Sequence, residues 1–373
     1  MTKTALRAGI IGLGPIAIRR RPAEDVPAAI QKAMEAAECG RFTPFGDPVF
    51  ASHALAISQI PEIEVAAVSD LSQTRRERFR DNWGAIWPDA GRFDDYREML
   101  AAGAFDIVVV ATPEHLHAEP VVAAAEAGAR AIFCEKPLAT SLADADRMIA
   151  ACNASGALLT VDYTRRWTPL FHTVRNTVRS GAIGDLSTIS VANGGSQAWL
   201  FRSGSHLLDA MVFFAGTTPV KCWAHLEDGF GDWDVYRGSG GGNTTERDPG
   251  ASGYVLFGNG VRASYSYVKT TAESFREVAI TGTRGYISFR LDGQSAQLCA
   301  TDPDDAYGTV EKTLVPGQVR HSGIEAAYCE IVDNLAGGGE SISSASEARK
   351  SVQIMMGFLE SHQRGGQLID VPD

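Results

Sequence analysis

Short apolar runs alternate with helical patterns in the first third of the chain. Each run is short, apolar and often followed by glycine, as in a buried parallel strand. The runs are Leu6–Leu13, Glu64–Asp70, Asp106–Thr112 and Ala129–Glu135. Helical segments lie between them, and two of these end at Gly103 and Gly128, which suit helix C-termini. The alternation predicts a doubly wound parallel sheet covered by helices on both faces.

The pattern changes after Pro137. A helix that begins after Ser141 is followed by a strand and a second helix ending near Gly181. From about residue 186 to 313, strands follow one another, with a hairpin expected around Gly258–Gly260. The second half is therefore predicted to be an α+β domain with an open, mainly antiparallel sheet. The expected domains are 1–137, a dinucleotide-binding Rossmann domain, and 138–373, a substrate and oligomerisation domain.

Two segments do not fit this minimal pattern. Residues 20–50 interrupt the first βαβ unit as an insertion that contains proline. Residues 227–250 form a long glycine-rich loop. Loops of this length are typically functional or mobile, and the sequence leaves the role of both open.

Composition excludes several classes of function. Hydrophobic residues make up 45% of the 373 positions and charged residues 21%, as in an ordinary globular protein. The net charge of -11 argues against a general nucleic-acid or anionic-membrane binder. The apolar runs are too short to cross a bilayer, and no signal peptide is visible. The six cysteines form no CxxC pair, so reduced thiols and a cytoplasmic location are expected.

The first strand ends in a glycine loop of the form GxGxxA. Gly12 permits the tight turn, and Gly14 lets the backbone approach a diphosphate at the helix start, beside Pro15 and Ile16. Ala17 is small enough for the helix to pack on the sheet. The pattern predicts a dinucleotide site, although glycine-rich turns also occur without a ligand.

Asp70 ends the second strand, where a carboxylate accepts hydrogen bonds from ribose hydroxyls and repels a 2′-phosphate. It therefore favours NAD over NADP. The usual interval from the glycines is about 20 residues, so the assignment requires residues 20–50 to loop out. Arg75 and Arg76 lie nearby and could neutralise a phosphate, which keeps NADP open as the less favoured cofactor.

Four motifs in order carry a family resemblance. They are GIIGLGPIA at the start, ATPEHLH at 111–117, EKP at 135–137 and YTRRWTP at 163–169. The ordered set resembles the Gfo/Idh/MocA family, which includes glucose-fructose oxidoreductase and inositol dehydrogenase. The resemblance implies a Rossmann domain, a second domain whose sheet packs against another subunit in a homodimer or homotetramer, and a nicotinamide held between the domains.

The resemblance also implies roles for individual residues. Lys136 matches the lysine that binds the reacting hydroxyl and helps to move its proton. A lysine beside a cationic nicotinamide has a physical reason for a lowered pKa. Tyr163 is a candidate substrate contact. The remaining implied cofactor contacts, besides Lys136 and the residues of the glycine loop, are Thr112, Pro113, His117, Glu135, Arg166 and Trp167.

One motif departs from the family pattern. The family usually shows DxGxH, whereas this chain has Arg202 where the aspartate is expected, followed by Gly204 and His206. An arginine cannot act as a base, but its fork of donors suits a carboxylate or phosphate. An anionic or multiply oxygenated substrate is therefore the hypothesis. The alternative is that Arg202 turns outward and binds a carboxylate of the protein itself.

His206 is a candidate second catalytic residue that assists Lys136, or a structural histidine at a helix start. Asp209 follows one turn later and could orient His206, cap the helix or contact substrate. No third ligand stands at a recognisable spacing, so no metal is predicted.

Three functions remain. The favoured one is an NAD-dependent dehydrogenase that acts on a secondary hydroxyl of a sugar, inositol or sugar derivative. The alternatives are a redox-neutral lyase or glycosidase that retains NAD, and a non-catalytic sensor that binds dinucleotide.

Overall fold

The structure is a computed structural model of the chain, and it describes residues 5–19, 52–195, 199–228, 248–269, 274–302, 305 and 308–373. The chain folds into two compact units. The first comprises Met1–Trp167 and Arg320–Ser346, and the second comprises Thr168–Val319 and Glu347–Asp373. The expected domain boundary at residue 137 thus lies inside the first unit, which also takes a segment from near the C-terminus.

The strands and helices of the described residues are numbered in chain order. The strands are β1 Leu6–Ile11, β2 Ile63–Ser69, β3 Gly91–Phe93, β4 Ile107–Val110, β5 Ala131–Cys134, β6 Leu158–Val161, β7 Leu186–Gly194, β8 Pro219–Leu226, β9 Ala251–Phe257, β10 Arg262–Val268, β11 Phe275–Gly282, β12 Gly285–Arg290, β13 Ala296–Thr301, β14 Thr309–Leu314 and β15 Ile369–Asp370. The helices are α1 Pro15–Ile18, α2 His53–Ile57, α3 Gln73–Trp83, α4 Tyr96–Ala102, α5 Ala118–Glu126, α6 Leu142–Ser155, α7 Pro169–Arg179, α8 Ser205–Ala215, α9 Gly323–Gly337 and α10 Ala345–Gln363.

The sheet of the first unit has the strand order β3-β2-β1-β4-β5-β6, and the paired strands run parallel. All residues of β4 and β5 are buried, which explains why both strands read as continuous apolar runs. The order reverses direction between β1 and β4, as in a dinucleotide-binding fold. The predicted doubly wound parallel sheet is confirmed.

Helices α1 and α2 lie on either side of the predicted insertion. Helix α1 ends at Ile18, and Ser52 Oγ donates a hydrogen bond of 2.7 Å to the carbonyl oxygen of Arg19. The same hydroxyl accepts from Leu55 N and so caps the start of α2. The two ends of the predicted insertion are therefore adjacent, while residues 20–51 themselves lie outside the described residues.

Helix α9 completes the core of the first unit although it comes from the far end of the sequence. Its Tyr328 and Ile331 are fully buried in the same apolar cluster as Phe133 of β5. The rings of Phe133 and Tyr328 meet edge to face at 5.1 Å, a favourable aromatic geometry. Burial of side chains this large stabilises a core by about 1.5–3 kcal/mol each. Residues near 320–346 are thus integral to the cofactor-binding unit.

The second unit contains a nine-stranded sheet in the order β14-β13-β12-β11-β7-β10-β9-β8-β15. Strands β7 and β10 pair in parallel, whereas the other pairs are antiparallel. The predicted open, mainly antiparallel sheet and the hairpin at Gly258–Gly260 are confirmed. In β10 the buried residues Ala263 and Tyr265 alternate with exposed serines at 264 and 266, so one face is apolar and the other polar.

Among the helices that the structure describes, none combines the length and apolar character that a membrane crossing requires.

Candidate active site

Three predicted motifs meet at one edge of the first unit's sheet. The glycine loop follows β1, Thr112 follows β4, and Glu135 and Lys136 follow β5. These strands are neighbours and parallel, so their carboxyl ends share one edge. The edge includes the point where the strand order reverses, which is where open α/β sheets bind their ligands.

The glycine loop has the backbone geometry that its sequence predicts. Gly12 adopts φ +89°, a left-handed conformation that favours glycine. A Cβ atom there would lie 2.6 Å from the carbonyl oxygen of Ala111. A Cβ on Gly14, by contrast, would meet nothing within 4 Å. The loop thus leaves open space beside Gly14 where a diphosphate could approach the backbone.

Helix α1 has only four residues, so its dipole is weaker than that of a full-length helix. Pro15 occupies its first position and Ile16 its second, with the Ile16 side chain exposed. Backbone N–H groups near Gly14 would therefore carry more of the anion binding than the helix dipole does.

The Asp70 carboxylate joins the end of β2 to the glycine loop. Its Oδ2 accepts a hydrogen bond of 2.8 Å from Leu13 N, and its Oδ1 accepts one of 2.8 Å from Ser72 N. Arg75 Nη1 lies 3.3 Å from Oδ2, and Arg76 donates to the Asp70 carbonyl oxygen. A carboxylate suited to ribose hydroxyls and two guanidinium groups suited to a phosphate therefore share one strand end.

His117 links the loop after β4 to the segment after Lys136. Its ring is buried, with Nε2 3.0 Å from the Thr112 carbonyl oxygen and Nδ1 3.0 Å from that of Pro137. Carbonyl oxygens only accept, so a neutral ring satisfies one of them and an imidazolium both. Burial lowers the pKa of His117. The charge of Glu135 and the hydrogen bonds to the carbonyl oxygens of Thr112 and Leu138 oppose this shift without reversing it. Pro113, between these groups, precedes a short helical turn at Glu114–Leu116.

Lys136 is half-buried directly after β5. Its backbone N–H donates a hydrogen bond of 3.1 Å to Glu135 Oε2. Burial alone would raise the pKa of Glu135, but the hydrogen bond and charge of His53, together with Lys136, hold it below its ordinary value. Glu135 is thus kept ionised next to the predicted acid/base residue.

His53 was missed by the sequence analysis. Its buried ring lies 3.3 Å from Glu135 Oε1 and 3.9 Å from Asp162 Oδ2 through Nε2, and 2.9 Å from the Tyr328 hydroxyl through Nδ1. His53, Glu135 and Asp162 each offer a ligand atom within 4.8 Å of the others. The only signal in the sequence was a histidine just beyond the insertion, and nothing there connected it to residue 135.

Three other predicted residues lie in or beside the turn Thr164–Trp167 of the first unit. Tyr163 and Arg166 are buried, and Arg166 Nη1 donates a hydrogen bond of 2.8 Å to the Ile342 carbonyl oxygen. Trp167 Nε1 donates to Glu330 Oε2 at 3.1 Å. These hydrogen bonds tie the turn to residues 320–346. The cofactor and substrate contacts expected of all three stay predictions.

The second unit holds the remaining predicted residues around one irregular helix start. Residues Leu200–Gly204 form a π-helical turn before α8, a feature often found at functional sites. Arg202 is exposed, with its guanidinium 5.4 Å from the centre of the Trp199 ring. His206 is half-buried and Asp209 is buried.

A buried aspartate that the sequence analysis missed holds this turn. Asp248 accepts hydrogen bonds from Phe201 N at 2.9 Å and from Arg202 N at 3.0 Å. It is fully buried and directly follows residues 229–247, which lie outside the described residues. The carboxylate thereby joins the end of the predicted glycine-rich loop to the backbone that carries Arg202.

Comparison with known proteins bears directly on the motifs at 111–117 and 135–137. Residues 40–163 match a family model described as the oxidoreductase family with an NAD-binding Rossmann fold, GFO_IDH_MocA. Over these residues the predicted resemblance to the Gfo/Idh/MocA family of oxidoreductases is confirmed.

Similar curated proteins carry related names. The chain is 34% identical over 171 residues to D-apiose dehydrogenase of Paraburkholderia graminis, covering 42% of this chain and 44% of that protein. It is 30% identical over 132 residues to myo-inositol 2-dehydrogenase of Thermotoga maritima, covering 35% and 38%. The chain thus matches less than half the length of these relatives. A longer match, at 25% identity, covers 83% of this chain and 92% of the uncharacterized oxidoreductase YdgJ of Escherichia coli.

Solved structures extend the likeness of fold over nearly the whole chain. An oxidoreductase from Agrobacterium radiobacter, in complex with NAD+, L-tartaric acid and magnesium, superposes with a TM-score of 0.72 at 21% identity, over 99% of each chain. Levoglucosan dehydrogenase in complex with NADH and L-sorbose gives a TM-score of 0.73 at 20% identity, over 99% of this chain and 100% of that one. At these identities the likeness concerns the fold.

Proposed function

We propose that this Gfo/Idh/MocA oxidoreductase is an NAD-dependent dehydrogenase that moves a hydride between nicotinamide and a secondary hydroxyl of a sugar, inositol or sugar derivative. One observation carries the proposal. Lys136 follows β5 at the same sheet edge as a glycine loop that is closed by the Asp70 carboxylate. A dinucleotide site and a half-buried amine therefore share the ligand-binding edge of one unit.

The residues at this edge fit a nicotinamide dinucleotide. The open space beside Gly14 admits a diphosphate, and Asp70 can accept ribose hydroxyls. When bound, the cofactor supplies the hydride chemistry. Thr112, Pro113 and His117 would line the cofactor site after β4, and the buried carboxylate of Glu135 would lie near the nicotinamide ribose.

Lys136 is assigned the proton transfer. In the oxidation direction its amine accepts the proton of the substrate hydroxyl as hydride leaves the carbon, and it returns a proton in reduction. Glu135, held ionised, supports the lysine through the backbone N–H of Lys136. His206 is proposed to assist this transfer, with Tyr163 and Asp209 as further substrate contacts and Arg166 and Trp167 as cofactor contacts.

Arg202 indicates that the substrate can carry a negative charge. Its side chain is exposed and its backbone is fixed by Asp248. An exposed guanidinium can bind a carboxylate or phosphate with two parallel hydrogen bonds. We therefore include anionic sugar derivatives among the substrates. Loss of kcat/KM that is equal for neutral and anionic substrates in Arg202→Ala would contradict this part.

NAD is the proposed cofactor because Asp70 stands where a 2′-phosphate would be repelled. Arg75 is half-exposed and within reach of that carboxylate, which is the feature that would allow NADP. Among the relatives, a scyllo-inositol 2-dehydrogenase of Bacillus subtilis is named as NADP-linked. Titration of the protein with NADH and NADPH, followed by fluorescence, decides between them.

The test of the dehydrogenase proposal is a screen at 340 nm against neutral and anionic sugars and polyols. For any active substrate, Lys136→Met should lower kcat by about 10²–10⁴-fold, the range typical of a lost general acid/base. NADH affinity should change little. Lys221→Met, at an exposed lysine of the second unit, is the matched control. Lys136→Met with wild-type kcat would remove the assignment.

A redox-neutral reaction is the second candidate. It is favoured by one relative, a 2,7-anhydro-N-acetylneuraminate hydratase of Mediterraneibacter gnavus, 35% identical over 153 residues and matched over 40% of its length. Such a reaction would convert substrate without net change at 340 nm. Product analysis by NMR, run beside the absorbance assay, separates it from the dehydrogenase. A sensor would bind NADH and convert nothing.

We further propose that the protein forms a homodimer or homotetramer through the second unit's sheet. The exposed serines of β10 lie on a shallow concave face with Ser190, Ser288 and Gln297 of neighbouring strands, and small polar side chains allow close approach of a second sheet. Analytical ultracentrifugation tests the oligomeric state.

A cytoplasmic location is proposed because the five described cysteines are free thiols.

A further inference from the structure

Apart from Glu135, the buried residues around His53 have no role in the reaction described above. His53 and Tyr328 are fully buried, and Asp162 and Glu135 are less than one-tenth exposed. Two carboxylates inside a core are costly unless they are paired and hydrogen-bonded. The His53 ring faces both of them and so offsets part of the cost of their burial.

The hydrogen bonds of His53 connect two other buried groups. An ionised carboxylate only accepts, so His53 Nε2–H is the donor in the hydrogen bond of 3.3 Å to Glu135 Oε1. Burial, with the charges of Asp162 and Glu135, raises the pKa of Tyr328 well above its usual range. Tyr328 therefore keeps its proton, and its hydroxyl forms a hydrogen bond of 2.9 Å with His53 Nδ1. The result is a chain of hydrogen bonds that links Tyr328 through His53 to Glu135.

These hydrogen bonds end at Lys136, the proposed acid/base residue. The Glu135 oxygen that does not face His53 accepts the backbone N–H of Lys136. A rotation of the Glu135 side chain would break that bond or the bond to His53. The hydrogen bond from His53 to Glu135 Oε1 therefore also fixes Oε2. Through Oε2 it holds the backbone that carries the Lys136 side chain.

His53, the middle residue of these hydrogen bonds, lies where the insertion rejoins the fold. His53 is the first residue of α2, and Ser52 before it is bound to the Arg19 carbonyl oxygen. The hydrogen bond between Ser52 and Arg19 thus helps to set the position of the His53 ring.

We propose that His53 is a positioning residue, which holds the Glu135 carboxylate against the Lys136 backbone and so places the Lys136 amine. The inference rests on the proposed role of Lys136 in proton transfer. It gives His53, just beyond the insertion, the role of positioning Lys136. The sequence analysis proposed no residue for that role.

A bound divalent cation is the rival explanation of the same cluster. The ligand atoms of His53, Glu135 and Asp162 are close enough together to hold one. An ion would make bonds of about 2.0–2.2 Å to each atom and would replace the hydrogen bond between His53 and Glu135. The purified protein should therefore contain no stoichiometric zinc, manganese, iron or magnesium by mass spectrometry, and one equivalent of any of them would overturn the proposal.

The experiment compares His53→Leu, which removes the donor, with His53→Gln, whose amide can replace Nε2–H. His321→Gln, at another histidine of the first unit paired with a glutamate, is the matched control. For each variant, kcat per NADH-binding site, KM, the primary deuterium isotope effect and the melting temperature are measured. The rate at which an amine-reactive acylating reagent modifies Lys136 is measured by peptide mass spectrometry, with Lys221 as internal reference.

The expected result is a fall in kcat on the order of 10²-fold for His53→Leu, the loss typical of a displaced catalytic group. KM should change much less, the isotope effect should rise as chemistry becomes limiting, and His53→Gln should recover a large part of kcat. A fall in melting temperature with unchanged kcat per binding site would show a merely structural role and overturn the proposal.

The acylation rate separates this inference from the proposed function, because it requires no substrate. If the wild-type protein transfers hydride to no substrate, the dehydrogenase proposal fails. A changed acylation rate of Lys136 relative to Lys221 in His53→Leu would still support positioning, and an unchanged rate would overturn it.

Discussion

Leu13 and Asp70 are joined by a hydrogen bond of 2.8 Å from the Leu13 backbone N–H to Asp70 Oδ2. The bond closes the glycine loop onto the end of β2, although residues 20–51 separate the two partners along the chain. The hydrogen bond between Ser52 and Arg19 explains how this is possible, since it brings the two ends of that segment together. The contact between the glycine loop and the end of β2 therefore does not require the segment to be short.

Replacement of Asp70 by alanine should weaken NADH binding by at least about tenfold, because hydrogen bonds to a charged group contribute about 1.5–3 kcal/mol. NADPH should lose less affinity, since the same change removes the repulsion of its 2′-phosphate. Fluorescence titration measures both. Asp81→Asn, at an exposed carboxylate on α3, should leave both affinities unchanged. An equal loss for the two cofactors would contradict the assignment of Asp70 to the ribose.

Gly12 and Gly14 should respond differently to alanine. Gly12→Ala forces a side chain into a left-handed backbone conformation and against Ala111, so it should lower the free energy of unfolding by about 1–3 kcal/mol. Gly14→Ala meets nothing in the protein. It should leave the melting temperature unchanged and weaken NADH binding at least tenfold. Urea unfolding and fluorescence titration check the pair, and retained NADH affinity in Gly14→Ala would argue against a diphosphate there.

His117 should make stability depend on pH. Burial lowers its pKa below 6.5 in the folded state, so below that pH the unfolded chain binds more protons and stability falls as pH falls. His117→Gln should reduce this slope below about pH 6.5. His362, whose pKa burial also lowers, remains in the variant, so the slope shrinks without vanishing. Urea unfolding at a series of pH values measures it, and an unchanged slope would contradict the prediction.

The parts of the fold that could be predicted are those encoded locally. The apolar runs gave β1, β2, β4 and β5, and Gly12 and Asp70 followed from the requirements of a nucleotide loop. The contribution of Tyr328 to the first unit could not be found in this way, because a helix pattern does not show which sheet it covers. His53 was missed for the same reason. Its partners Glu135 and Asp162 are distant in sequence, and only the assembled core brings them together.

Asp248 offers a last prediction, in the second unit. Its two oxygens accept the backbone N–H groups of Phe201 and Arg202, and an asparagine can accept with only one of its two terminal atoms. Asp248→Asn should therefore lower the free energy of unfolding by about 1–3 kcal/mol. Because the Arg202 backbone loses its anchor, KM for an anionic substrate should rise more than KM for a neutral one. Asp228→Asn, at an exposed position beyond β8, is the control, and equal KM changes would separate Asp248 from substrate recognition.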